Sequence, residues 1–231
     1  MSELPEKLFA NPVWHALHSK HHKFANCAGQ ACRYAADVVP FAAINTPGVE
    51  PMLQLQSLFE PGDSAWIIGE EYAEVPGLVR GKTLQCLQMV LPDGVTVPDT
   101  ETEIVKLSDA NADEMVALTT LAFPGFFRQR TCEMGSYYGV RSPSGELIAM
   151  GGERLKLEGF TEISGVCTHP SFRRRGMAAG IIWQLVREHR KEGVVSWLHV
   201  ANANRRAVEL YLWLGFEEIR EVTLHHVSRV A

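Results

Sequence analysis

Between Gly165 and Ile182 the chain reads Gly-Val-Cys-Thr-His-Pro-Ser-Phe-Arg-Arg-Arg-Gly-Met-Ala-Ala-Gly-Ile-Ile, an apolar β-run, a tight basic loop and a helix start in one short stretch. Val166, Cys167 and Thr168 close the run and Pro170 stops it. Gly176 and Ala178 keep the following turn free of bulky side chains, so backbone amides can approach a ligand. Unpaired N–H groups and the positive end of the helix dipole converge above the loop, beside the guanidinium groups of Arg173, Arg174 and Arg175. Such a cradle suits a pyrophosphate. Two other phosphate loops do not occur: there is no Gly-x-x-x-x-Gly-Lys-Ser/Thr, and no Gly-x-Gly-x-x-Gly after a strand.

A second motif lies downstream, from Leu198 to Phe216, and reads as strand, turn, helix, turn. Asn204 is a natural N-cap, Ala207 and Tyr211 follow it on one helical face, and Gly215 stands where a left-handed C-cap belongs. Arg173-x-x-Gly176-x-Ala178 resembles the acetyl-CoA loop of the GNAT superfamily of N-acetyltransferases. Asn204-x-x-Ala207-x-x-x-Tyr211-x-x-x-Gly215-Phe216 resembles that family's second signature, in the expected order and separation. The resemblance covers roughly Glu103 to Ala231.

It implies an α/β fold on a mixed sheet. The expected elements are strands at 102–107, 135–141, 146–155, 160–169 and 196–200, closing strands over 217–230, and helices at 111–123, 178–191 and 204–214, with a short helical segment at 125–132. It further implies acetyl-CoA as cofactor, held by Val166, Cys167, Thr168, Arg173, Arg174, Arg175, Gly176, Met177, Ala178 and Asn204. Gly165 is the candidate bulge that splays the cofactor strand from its neighbour. Arg174 stands where family loops often carry glycine, so ordinary helical or extended backbone is expected there.

Acetyl transfer needs a deprotonated amine, a polarised thioester carbonyl and a proton for the departing thiolate. By resemblance Tyr211 is the proton donor; the alternative is a tyrosine packed under the last strands. Glu162 is placed as the general base, or else is a pairing glutamate, and His169 and His199 are alternative bases. Cys167 reads as a small buried apolar residue rather than a nucleophile. The acceptor region would be Phe123 to Arg128 with Tyr137 and Tyr138, unless these are core. No metal is expected. His15, His18, His21 and His22 sit in one expected helix from Asn11 to Phe24, but no cysteine or carboxylate with ligand spacing accompanies them.

Residues 1–100 read as an N-terminal α/β part, GNAT-like only in degenerate form, and 101–231 as the GNAT domain, with a turn-rich break at 91–100. This arrangement resembles two-part bacterial GNAT and glycine N-acyltransferase-like proteins. The first hundred residues hold 6 Lys/Arg and 11 Asp/Glu, the rest 16 of each, so the net charge of −5 lies wholly in the first part. An acidic chain without a broad basic face argues against nucleic acid. Five cysteines without a Cys-x-x-Cys are expected as reduced thiols, and the absence of a leader pattern or long apolar run points to a cytoplasmic protein off the membrane. The expected activity is acetylation of a primary amine on a small molecule such as an amino acid, with a homodimer left open. A protein or peptide amine and a catalytically silent acyl-CoA sensor are the alternatives.

Overall fold

The computed structural model describes residues 5–69, 71–100 and 102–230. Chain order is α1 (Glu6–Ala10), α2 (Pro12–Leu17), β1 (Ala25–Ala28), β2 (Ala31–Tyr34), β3 (Phe41–Ile44), α3 (Val49–Ser57), β4 (Ser64–Ile68), β5 (Leu78–Val90), β6 (Val105–Leu107), α4 (Ala112–Ala122), β7 (Tyr137–Arg141), β8 (Leu147–Leu157), β9 (Phe160–Thr168), α5 (Met177–Lys191), β10 (Val195–Ala201), α6 (Arg205–Trp213) and β11 (Glu217–Arg229). The strands form one mixed sheet in the order β1-β2-β3-β4-β11-β5-β10-β9-β8-β7-β6. Among the described residues only β3–β4 and β9–β10 are parallel, and each parallel pair is joined by a crossover helix, α3 or α5.

The run β1-β2-β3-α3-β4 therefore repeats the pairing pattern of β7-β8-β9-α5-β10. The strand that follows each run crosses to the other: β5 pairs with β10, and β11 pairs with β4. β5 and β11 lie side by side along most of their length. Residues 1–100 and 101–231 thus exchange their closing strands, and a cut at position 100 would strip each of an inner neighbour. The first run has no cradle, because Asn45-Thr46-Pro47-Gly48 carries no arginine between β3 and α3.

The N-terminal helix is shorter than expected. α2 ends at Leu17, and His21 turns inward, where its Nδ1 lies 2.8 Å from the Tyr34 hydroxyl and burial lowers its pKa to about 4. The histidines therefore share no single helical face. Cys27 and Cys32, directly opposed on β1 and β2, form a disulfide rather than two reduced thiols, with His18 Nε2 3.8 Å from Cys32 Sγ. The segment 125–132 is not helical: Phe126 packs on Phe41 and Trp66 while its neighbour Phe127 packs on Tyr137, and only a 3-10 turn at Thr131–Met134 follows. Among the described residues no helix is long and apolar enough to cross a membrane.

A buried ionic cluster ties α5 to the sheet. Glu153, fully buried on β8, accepts from Lys156 at 2.7 Å and from the Ser136 amide at 2.9 Å, and lies 3.2 Å from His189 Nε2. Burial alone would raise its pKa, but the bonds from His189, Lys156 and Ser136 override this and hold it at about 2, against an ordinary 4.5. A carboxyl whose folded pKa is depressed stabilises fully above its unfolded value and loses that contribution as pH falls toward the folded one. Thermal melts should therefore show Tm falling between pH 4.5 and 2, with the Glu153→Gln protein shallower over that window. At pH 7 the same substitution should cost about 3–5 kcal/mol, on the order of 10 °C in Tm.

Candidate functional site

Past Thr168 the chain turns through Pro170–Phe172, where His169 Nδ1 accepts from the Ser171 amide at 3.2 Å. His169 is a turn cap and does not line the cleft described below. Arg173 is extended, and its Nε donates to the Thr168 carbonyl at 3.3 Å. Arg174 then takes φ 64°, contrary to the ordinary backbone expected of an arginine, and Gly176 takes φ 77° and opens α5. Two left-handed residues so close together curl the loop tightly enough to turn its amides inward. No side chain caps α5, so the amides of Met177, Ala178 and Ala179 have no intrahelical partner. Arg173, Arg174 and Arg175 are exposed, and none pairs with a carboxylate among the described residues. Loop, dipole and charge together make an anion site.

The loop opens into a cleft made by a splay of the sheet. β9 pairs with β10 only at Phe160, Thr161 and Glu162; beyond Glu162 and Trp197 the two strands part. On its other edge β9 bulges: Met150 faces Cys167 and Gly152 faces Ser164, leaving Gly165 and Val166 against Gly151. Gly165 makes this possible with φ 66°, a conformation open to glycine at little cost. The cleft has a volume of about 760 Å³, and Val166, Cys167, Thr168, Arg173, Arg174, Arg175, Gly176, Met177, Ala178, Asn204 and Tyr211 all line it.

Asn204 caps α6, its Oδ1 accepting from the Ala207 amide at 3.3 Å. One helical face then brings Tyr211 to the cleft wall, against Phe216 with ring centroids 5.7 Å apart. Its hydroxyl has no hydrogen-bond partner among the described residues, and burial, then the negative charge of Glu162, push its pKa up to about 12. The phenol therefore carries its proton at neutral pH. Burial likewise pushes the Cys167 thiol up to about 12, which leaves no thiolate for a covalent step.

Glu162 is fully buried and does not line the cleft. Its Oε1 accepts from Arg154 Nη2 at 2.5 Å and from His199 Nδ1 at 2.7 Å. Its Oε2 accepts from Arg154 Nε at 2.9 Å and from the Leu155 amide at 3.2 Å. These four bonds fill the acceptor capacity of a carboxylate. Burial alone would raise its pKa, but the Arg154 charge and the hydrogen bonds from Arg154 and His199 outweigh that and hold it at about 2. A carboxylate so weakly basic, with no lone pair free, does not serve as the general base expected from the resemblance; it anchors Arg154 and His199 instead. His199 lines the cleft, but its Nε2 faces Gln88 Nε2 at 3.0 Å. That amide nitrogen also donates to the Phe9 carbonyl at 2.9 Å, which fixes it as donor and the imidazole Nε2 as acceptor.

Phe123, Pro124, Phe126, Phe127 and Tyr137 line the cleft, whereas Arg128 and Tyr138 do not. Sequence reasoning missed Arg154 and the walls contributed by Leu84, Cys86 and Leu224. The signal for Arg154 was the adjacent Glu153-Arg154 pair after the uncharged run Leu147 to Gly152, two opposite charges on opposite faces with both faces covered.

The family model described as FR47-like protein matches residues 137–225. A crystal structure of a GNAT-family protein from Novosphingobium aromaticivorans is 34% identical, with a TM-score of 0.87 over 96% of this chain and 99% of that one. A GCN5-related N-acetyltransferase from Kribbella flavida shares the fold at 18% identity, TM-score 0.64, over 99% of this chain and 96% of that one. So does a GCN5-related N-acetyltransferase-like protein from Streptococcus suis, at 10% identity and TM-score 0.60 over 97% and 94%. A search of the curated proteins finds no match.

Proposed function

Since the chain belongs to the GNAT family of acetyltransferases, we propose that it moves an acetyl group from acetyl-CoA directly to the primary amine of a small molecule, such as an amino acid or a related amine. The observation that carries this reading is the continuity of one cleft from the arginine loop, through the gap between β9 and β10, to Tyr211 and an apolar end. In this reading Arg173, Arg174, Arg175 and the free amides of Met177 and Ala178 hold the pyrophosphate. The strand edge from Val166 to Thr168, released from β10, offers backbone groups to the pantetheine arm, and Asn204 borders it. Val166 N–H polarises the thioester oxygen. The amine nitrogen bonds to the acetyl carbon as the carbon–sulfur bond breaks, Tyr211 gives its proton to the sulfur, and the surplus proton on nitrogen leaves to water. Cys167 takes no acyl group.

The N-terminal part serves in this reading to wall the acceptor end. Leu84 and Cys86 from β5 stand in the wall, and Phe9 on α1 holds Gln88 behind His199. A wall from the N-terminal part at that end favours a small acceptor over a peptide in this reading. Calorimetric titration with acetyl-CoA, followed by a free-thiol assay over amino acids, polyamines and short peptides, tests this reading. Saturable binding at micromolar concentration and thiol release with one small amine class are expected. Release only with peptides would replace the acceptor, and binding without release would replace the enzyme by a sensor.

A further inference from the structure

We propose that the acceptor is a free amino acid with an apolar side chain, its carboxylate received by the unspent edge of the Arg154 guanidinium; this rests on the transfer reading above. Arg154 lines the cleft with its side chain only 12% exposed. Two of its five N–H donors are spent on Glu162, through Nε and Nη2. Nη1 and the second Nη2 hydrogen have no protein acceptor among the described residues. Glu162 thus does for Arg154 what a second guanidinium contact does in a clamp: it locks the plane and leaves one planar edge for a ligand. That edge matches a carboxylate in two-point geometry.

Charge selects in the same direction. Among the described residues that line the cleft there are five arginines, Arg154, Arg173, Arg174, Arg175 and Arg206, and no aspartate or glutamate. A polyamine or a lysine-like acceptor would bring a second cation to a cleft whose described lining holds no carboxylate, whereas an amino acid brings an anion that Arg154 can receive. The acidic surplus of the first hundred residues does not reach the cleft wall.

What lies around Arg154 sets the rest of the molecule. Its guanidinium sits over the Phe41 ring at 4.9 Å, and Phe41 packs on Phe126 at 5.9 Å. Leu84, Cys86 and Leu224, which line the same cleft, present apolar surface to a side chain.

The test compares L-phenylalanine, L-phenylalaninamide and phenethylamine as acceptors at saturating acetyl-CoA, in the unmodified protein and in Arg154→Lys. Lysine keeps a cation for Glu162 but loses the second planar edge, and acetyl-CoA affinity reports that the cleft is intact. A charge-assisted pair predicts roughly 10²-fold higher kcat/KM for phenylalanine than for phenethylamine, with the amide close to the amine. In Arg154→Lys that preference should collapse to within about threefold, chiefly through the KM of phenylalanine. Arg154→Met should show the same collapse if it still binds acetyl-CoA. Equal or better turnover of phenethylamine, the amide or a polyamine by the unmodified protein overturns the proposal and leaves the transfer reading standing. Acetyl-CoA binding with no thiol release from any amine overturns the transfer reading, and the proposal with it.

Discussion

Gly176→Glu is expected to raise the dissociation constant for acetyl-CoA by at least about 100-fold, or ~2.7 kcal/mol, while leaving a folded protein. Gly176 sits at φ 77° as the N-cap of α5, and a Cβ built on it meets no atom within 4 Å. The new side chain therefore clears the protein and stands in the mouth of the loop. There its carboxylate competes for the Met177 and Ala178 amides and for Arg174 and Arg175, and repels a pyrophosphate. The left-handed backbone costs about 1–2 kcal/mol in a non-glycine residue, which is a few degrees of Tm and not unfolding. Gly176→Ala carries that backbone cost without the charge, so calorimetric titration of both separates the two effects. Alanine should weaken binding by less than about tenfold. Micromolar affinity retained in Gly176→Glu would show that the anion lies elsewhere.

The cradle and the α6 motif were legible because each is built from residues adjacent in sequence. Gly165 was legible for the same reason: a lone glycine near the end of an apolar strand marks a bulge, and the register break occurs there. Arg174 misled because the local rule that keeps arginine out of the left-handed region gave way to loop closure; the chain has to turn sharply between an extended Arg173 and a left-handed Gly176. The role of Glu162 was not legible, since its four donors come from residues 8 and 37 positions away and from a strand-partner amide. No local pattern says whether a strand glutamate will be free or saturated. The exchange of β5 and β11 was equally out of reach, because either strand has the same alternation whichever half it joins. Apolar periodicity fixes which face is buried and not which neighbour buries it.

Tyr211→Phe should lower kcat by roughly 10²-fold or more with little change in acetyl-CoA affinity. The substitution removes one oxygen and leaves the ring against Phe216, so packing survives; the hydroxyl holds no internal hydrogen bond whose loss would unsettle α6. What is lost is the proton this reading delivers to sulfur, and Glu162, ionised at neutral pH, has none to give in its place. The pH profile supplies the second check. A phenol held at about 12 by burial and by Glu162 stays protonated through the physiological range, so under the transfer reading the unmodified protein should lose no activity from this group until pH approaches that value. Below it, with no carboxylate among the described residues that line the cleft, kcat/KM should rise with the ionisation of the acceptor amine itself. The Phe variant should keep that rising limb and lose the alkaline fall. A leaving group that needs less protonation, as in an aryl thioester donor, should recover much of the lost rate in Tyr211→Phe; an undiminished defect with such a donor would mean that the phenol orients the substrate instead of delivering the proton.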